Sequence, residues 1–219
     1  MRIDSRESME EAALKYGILP FFRNQISGFS IEEMTPPGLL FGGNDGYDGC
    51  WEWKGPVIGS QTTAYGKFFR RKAGFVALDL LPDFLNYRRN AYGFEDDSLE
   101  KMILDIIMRQ EGATSAELRG IIFESLPKNE KPRRQVLEPA LQRLQMGGHL
   151  LIADFEYKYS LKGERYGWGV ALYSTPEIWL GMSDKGVKRT PQQSFEWLVG
   201  NISNRLPGVE EKLIRNLIK

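Results

Sequence analysis

DSLEKMILDIIMRQEGATSAELRGIIFES, residues 97–125, is the stretch that decides the fold, because it predicts two helices separated by a break at Gly112. The next segment, KPRRQVLEPALQRLQMGGHL (131–150), predicts a third helix that ends at Gly147-Gly148. LLIADFEYKYSLKGERYGWGVALYS (150–174) then alternates apolar and polar residues on both sides of a turn at 161–164, which predicts a two-stranded hairpin.

This order of three helices and a hairpin is that of a winged helix-turn-helix, an architecture that commonly reads a nucleic-acid groove. Two capping boxes support the first two helix starts. Asp97 and Glu100 stand three residues apart before the first helix, and Thr114 and Glu117 repeat the spacing before the second. Helical spacing of apolar residues supports all three helices, through Leu99, Met102, Ile103, Ile106, Ile107, Leu118, Ile121, Ile122, Leu137, Ala140, Leu141 and Leu144.

Pro139 leaves two interpretations of the third helix open. A proline inside a helix removes a backbone hydrogen bond and costs about 3 kcal/mol, so the helix either kinks there or begins only near Gln135 and Val136. The second interpretation places Pro139 in the first turn. It also moves Arg133 and Arg134 into the preceding loop, as phosphate contacts rather than base readers.

The rest of the chain predicts a mixed α+β protein. A first helix capped by Asp4 and Glu7 ends at Gly17, and a short one follows Ser30. The aromatic and β-branched residues of 51–84 predict a hairpin or small sheet that turns at Arg70-Arg71-Lys72, followed by a helix over 83–92. Two more helices are expected after Thr190 and after Pro207-Gly208. We therefore predict an N-terminal aromatic-rich α+β region with a basic hairpin (1–96), a winged helix-turn-helix domain (97–182) and a C-terminal helical extension (183–219).

The charge balance limits the function classes. The 219 residues carry 29 basic and 29 acidic side chains, so no net field attracts a polyanion, and strong sequence-independent DNA binding is disfavoured. The distribution is uneven, however. Residues 1–50 hold four basic and eight acidic side chains, whereas residues 62–92 hold six basic and two acidic ones. A basic face is therefore compatible with zero net charge.

No residue pattern specifies a reaction. Cys50 and His149 are the only cysteine and histidine, so neither a nitrogen and sulfur metal site nor a metal cofactor is expected. Nothing local pairs the two as nucleophile and base, and the glycines between 42 and 49 lack the context of a phosphate loop. A single cysteine, no apolar leader and no membrane-length apolar run predict a cytoplasmic protein that does not bind membranes.

Basic residues interleaved with aromatics are the most suggestive chemical pattern, because such mixtures stack bases and neutralise phosphates. The alternative is a small sheet that buries its aromatics and turns at a solvated basic tip. If the protein processes a flipped base, Trp51 and Trp53 are the expected pocket walls. The candidate DNA contacts are Lys67, Arg70, Arg71 and Lys72 in the hairpin, Lys131, Arg133, Arg134 and Arg143 in the third segment, and Lys158, Lys162 and Arg165 in the wing.

Several strings resemble a bacterial family labelled AlkZ-related. They are YGILPFFRNQISGFSIEEMTPP (16–37), WEWKGPV (51–57), YGKFFRRKAGFVALDLLPDFLNYRR (65–89), LQRLQMGGHLLIADFEYK (141–158) and GERYGWGVALYSTPE (163–177). The resemblance implies a remote tie to AlkZ-type winged-helix DNA glycosylases, which excise alkylated bases with a Gln-x-Gln or Gln-x-Asp motif. Every glutamine of this chain lacks Gln or Asp two positions on, so no catalytic residue carries over.

Three hypotheses follow. The first is a non-enzymatic protein that binds double-stranded DNA or recognises damaged or distorted DNA. The second is a winged helix used as a protein-interaction module, which the zero net charge and acidic N-terminal fifty residues favour. The third is a glycosylase with an altered catalytic group.

Overall fold

The computed structural model describes residues 1–42, 48–125, 136–163, 165–182 and 187–219. Within these ranges the chain is α+β, with ten helices and two antiparallel sheets of three strands each. The helices are α1 (Arg6–Tyr16), α2 (Ile31–Met34), α3 (Cys50–Gly59), α4 (Leu81–Ala91), α5 (Leu99–Gln110), α6 (Ser115–Ser125), α7 (Leu137–Met146), α8 (Pro176–Trp179), α9 (Pro191–Arg205) and α10 (Glu211–Ile218). The strands are β1 (Ile18–Pro20), β2 (Thr63–Phe69), β3 (Lys72–Ala77), β4 (Ala113–Thr114), β5 (Leu151–Tyr159) and β6 (Arg165–Ser174).

The first sheet has the order β1-β3-β2 and contains the predicted basic hairpin. β2 and β3 pair around Arg70 and Arg71, with Phe69 opposite Lys72. The short strand β1 adds to the other edge of β3, an addition that the sequence analysis did not predict.

The expectation of strand structure from Trp51 onward was wrong, because residues 50–59 form helix α3. WEWKGPV has the period-2 alternation of a strand, but the buried residues of the segment follow helical spacing: Cys50, Lys54, Val57 and Ile58. Since one of these four is a lysine, an apolar pattern misses the helical period. Glu52 begins the helix by accepting a hydrogen bond from the backbone N–H of Gly49 at 3.4 Å.

The predicted order of helices and hairpin between residues 97 and 174 is present, as α5, α6, α7, β5 and β6. The two-residue strand β4 pairs with β6 and completes a second sheet of order β4-β6-β5. α7 begins at Leu137, so Pro139 lies in its first turn, as the second interpretation required. The preceding residues 126–135 lie outside the described chain.

Helix caps were predicted with mixed success. Thr114 and Glu117 form the expected reciprocal bonds, since the Thr114 N–H donates to the Glu117 carboxylate at 2.7 Å. Thr190 and Gln193 likewise form a capping box before α9. The first and fifth helices, however, are capped by the neighbouring serines Ser5 and Ser98 rather than by Asp4 and Asp97. In both cases a serine stands beside the aspartate, and both residue types are strong N-caps.

One contiguous set of buried apolar side chains runs from Ile3 to Ile218 and draws on all parts of the described chain. Helix α9 packs on α4, where the buried Asp83 accepts hydrogen bonds from Arg189 and Ser194. α7 and β5 both contact β2. The packing of these elements brings the N-terminal sheet next to the second sheet and its helices.

Candidate nucleic-acid interface

The β2–β3 turn presents a compact basic tip. Arg70 and Arg71 occupy its two central positions with φ of 48° and 69°, and both side chains are exposed. Left-handed backbone at both positions is the conformation of a hairpin turn that normally selects Asn and Gly. Two arginines there carry conformational strain, which clusters at functional sites. We refer to Lys67, Arg70, Arg71 and Lys72 together as the hairpin tip.

The positive charge of the hairpin tip is not neutralised by nearby carboxylates of the described chain. Across the described part of the chain, none of its four cations forms an ion pair. Lys72 instead donates to the backbone oxygen of Arg23 at 2.8 Å, and Arg70 donates through Nε to the backbone oxygen of Asn216 at 3.3 Å. The positive charge of the tip is therefore available to an external anion.

Helix α7 lies beside the hairpin tip. The Lys67 backbone N–H donates to Gln145 Oε1 at 3.1 Å, and Gln142 Nε2 reaches the Arg71 carbonyl at 3.4 Å. The structure thus brings together two groups of candidate contacts that are far apart in the sequence, the hairpin and the third helix. Lys131, Arg133 and Arg134 lie outside the described residues.

Two of the candidate arginines already have carboxylate partners. Arg143 on α7 forms an ion pair of 3.1 Å with Glu100, which is almost fully buried. Arg165 on the wing pairs with Glu52 at 3.4 Å and lies 4.0 Å from the centre of the Tyr157 ring. Both pairs tie elements together, so these arginines offer less free charge than the hairpin tip does.

The wing extends into solvent at its turn. Lys158 and Lys162 are exposed, and Leu161 between them is fully exposed. Arg165 connects the base of the wing to α3 through Glu52. Lys158 and Lys162 therefore remain candidate backbone contacts at the free end of the hairpin.

The two predicted pocket tryptophans have different surroundings. Trp51 is half-buried in an aromatic group, edge-to-face with Phe21 at 5.6 Å and with Trp168 at 5.6 Å. Trp168 is 65% exposed, so part of this group faces solvent. Trp51 and Trp53 are both partly buried and both pack against the main apolar core, but the aromatic group that reaches solvent is built around Trp51.

Lys54 belongs to the pattern of basic residues among aromatics but was not among the predicted contact or pocket residues. Its side chain is buried, with the amine 3.6 Å from the centre of the Trp51 ring and 4.4 Å from that of Phe155. The pKa of Lys54 is lowered to about 7, chiefly by burial, with a smaller lowering by the nearby Arg165 and an opposing effect of Glu52. The signal for its burial was its helical spacing from Cys50, Val57 and Ile58.

Cys50 and His149 lie in unrelated surroundings. The Cys50 thiol contacts the Thr35 hydroxyl at 3.2 Å, and burial raises its pKa, which disfavours the nucleophilic thiolate. His149 contacts the Tyr92 carbonyl at 3.0 Å and packs on Phe94, and burial lowers its pKa. Each residue has its own local partners, which is consistent with structural roles for both.

The comparisons with known proteins point to one family. A family model described as AlkZ related matches residues 3–219, so the chain belongs to the AlkZ-related family. No match was found among curated proteins or among solved structures.

The described chain lacks two kinds of feature. None of its helices combines the length and the apolar character needed to cross a membrane. Likewise, no group of three or more His, Cys, Asp or Glu side chains among those residues is arranged to hold a metal ion.

Proposed function

We propose that this protein binds double-stranded DNA through a surface made by the hairpin tip, α7 and the wing. We interpret α5 to β6 as a winged helix, because three helices, a short strand and a hairpin in a sheet of order β4-β6-β5 follow the pattern of that architecture. Membership of the AlkZ-related family adds support for a DNA-related role.

One observation carries the proposal: the uncompensated hairpin tip lies against the third helix. The hydrogen bonds from Lys67 to Gln145 and from Gln142 to Arg71 join the tip to α7. In the proposed complex the exposed arginines of the tip contact phosphates on one side of α7, and Lys158 and Lys162 contact them from the wing. Phosphate contacts of this kind fix the orientation of a protein on DNA and supply most of its salt-dependent affinity.

The zero net charge of the chain suits distorted DNA better than plain duplex. A protein without net positive charge gains little from phosphate contacts alone. Bent, mismatched or damaged sites are less costly to deform and expose unstacked bases, so they offer additional contacts. We therefore propose a preference for damaged or distorted sites.

Fluorescence anisotropy with labelled duplexes tests this function. Plain, mismatched and alkylated duplexes of one length are titrated over a salt series, with the wild type, Arg71→Gln and the control Arg2→Gln. Arg2 is exposed like Arg71 and lies at the N-terminus. We expect micromolar or tighter binding that weakens with salt, a preference for a distorted site, and weaker binding by Arg71→Gln alone. Equal losses in both variants would remove the hairpin tip from the interface.

A protein-interaction module is the second candidate, and the packing of α7 favours it. Gln145 is buried where α7 meets β2, so part of the helix that would read a groove is covered by the protein itself. Absence of binding to every duplex at low salt would favour this candidate over the first. An alkylated duplex is incubated with the protein, treated with alkali to cleave any abasic site, and checked for strand breaks, which separates both candidates from an altered glycosylase.

A further inference from the structure

A cleft opens beside the hairpin tip, on the side of α10. Its volume is about 340 Å³, within the usual range for small-ligand sites of roughly 300–1,000 Å³. The wall comes from three separate parts of the chain: the segment after β1, the end of the β2–β3 hairpin, and α10. We infer that this cleft binds one nucleotide unit, a phosphate attached to a nucleobase. That the unit is an unpaired nucleotide of bound DNA rests on the proposed function.

The charge of the cleft favours an anion. Arg23, Arg70 and Lys72 line it, and no acidic side chain does. Glu32 lies behind Arg23, 3.6 Å from its Nε, and offsets part of that charge. The two hairpin cations have no such partner among the described residues, so the cleft keeps a net positive charge. A phosphate is the common biological anion that arginine and lysine bind in this way.

Part of the lining is apolar and aromatic. Phe69 and Leu217 contribute to it but are buried, so the half-buried Phe22 is the aromatic residue of the lining with exposed surface. An inorganic anion alone would leave this apolar surface exposed to water. A nucleobase has a flat π-face that stacks favourably on an aromatic ring. The cations therefore favour a phosphate and the aromatic lining favours a base, so a ligand that carries both groups fits the cleft best.

The walls are held together without a ligand. Lys72 bridges to the Arg23 carbonyl at 2.8 Å, and Gln25 donates to the Leu213 carbonyl of α10 at 2.8 Å. The Nε of Arg70 donates to the backbone carbonyl of Asn216, which leaves the two terminal nitrogens of Arg70 to donate to a phosphate. A site whose walls are already tied needs less ordering on binding, and affinity rises accordingly.

Isothermal titration calorimetry of the full chain tests the ligand class. The probes are deoxyadenosine monophosphate, inorganic phosphate and deoxyadenosine. The variants are Arg23→Gln and the control Arg2→Gln. Both arginines are about 70% exposed and face a carboxylate, with Nε–O distances of 3.6 Å for Arg23–Glu32 and 3.5 Å for Arg2–Asp4. We expect the monophosphate to bind at least tenfold tighter than either fragment, and Arg23→Gln alone to weaken it about tenfold. Equal affinity for phosphate and monophosphate, no binding of the monophosphate, or equal effects of both variants would overturn the inference.

A second titration separates this inference from the proposed function. Duplexes with and without one unpaired nucleotide are compared by anisotropy. We expect the wild type to prefer the duplex with the unpaired nucleotide, and Arg23→Gln to lose that preference while still binding paired duplex. A protein that binds the monophosphate but no duplex would contradict the proposed function and leave the nucleotide site intact. The opposite result is duplex binding that neither the unpaired nucleotide nor Arg23→Gln changes. It would contradict the nucleotide site and leave the proposed function intact.

Discussion

The side-chain oxygen of Gln145 accepts a hydrogen bond from the backbone N–H of Lys67 at 3.1 Å, although 78 positions separate the two residues. β2 is an edge strand with an irregularity between Gly66 and Phe69, so this N–H has no ladder partner. The side-chain oxygen of the buried Gln145 accepts from this N–H, and its Nε2 donates to the Leu141 carbonyl at 3.2 Å. One side chain thereby fixes the basic hairpin against α7.

Replacing Gln145 by alanine should therefore be costly. The change leaves the Lys67 N–H unsatisfied in a partly buried site, and we expect the free energy of unfolding to fall by about 1–3 kcal/mol. Urea unfolding followed by circular dichroism measures the loss. Gln142→Ala is the matched control on the same helix, because Gln142 is less buried and its bond to Arg71 is longer, at 3.4 Å. Losses of similar size in the two variants would show that the Gln145 amide has no special role.

The double variant Arg70→Asn, Arg71→Gly should separate stability from binding. Both positions have positive φ, which Asn and Gly adopt with less strain than arginine. We expect the free energy of unfolding to rise by about 1 kcal/mol while affinity for duplex DNA falls. Thermal unfolding and anisotropy on the same preparation provide both values. A variant that is both more stable and equally tight would mean that the arginines are not retained for binding.

Unpaired and paired arginines should differ in their effect on salt dependence. Arg71 has no carboxylate partner among the described residues, whereas Arg143 is paired with Glu100. We expect Arg71→Gln to reduce the slope of log K against log salt by about one, and Arg143→Gln to change it less. Anisotropy at four or more salt concentrations gives the slopes. The opposite order would place α7, rather than the hairpin tip, at the centre of phosphate contact.

Lys54 predicts a specific pH dependence of stability. Burial lowers its pKa to about 7 in the folded protein, from 10.5 as the ordinary value. Between these values the unfolded chain binds more protons than the folded one, so the contribution of Lys54 to stability rises with pH. We expect the wild type to gain stability relative to Lys54→Met from pH 7 to pH 10, by at most about 1.4 kcal/mol per pH unit.

Denaturant unfolding of both proteins at several pH values checks this dependence. Lys212→Met is the control, because Lys212 is exposed on α10. Its stability difference from the wild type should show no comparable rise. Parallel curves for the wild type and Lys54→Met would mean that the buried amine stays charged, held by the faces of Trp51 and Phe155.

Local structure was predictable from the sequence where near neighbours decide it. The bonds between Thr114 and Glu117 join residues three positions apart, and the turn at Arg70-Arg71 joins strands that follow each other directly. Gly17, with φ of 76°, ends α1 as expected because it adopts left-handed backbone without strain. The order of helices and strands from 97 to 174 was predictable for the same reason.

Tertiary structure alone decided the rest. The strands β1 and β4 are two or three residues long and exist because β3 and β6 offer them hydrogen-bond partners. α3 is a helix whose period is hidden by a buried lysine, and only its position between aromatic rings explains that lysine. The sequence by itself determined the helices with a clear apolar period, their stops and the basic turn, since these depend on residues within about one helical turn. The common core decided which surfaces pack together. The burial of apolar area depends on the whole chain, so it cannot be predicted from neighbouring residues alone.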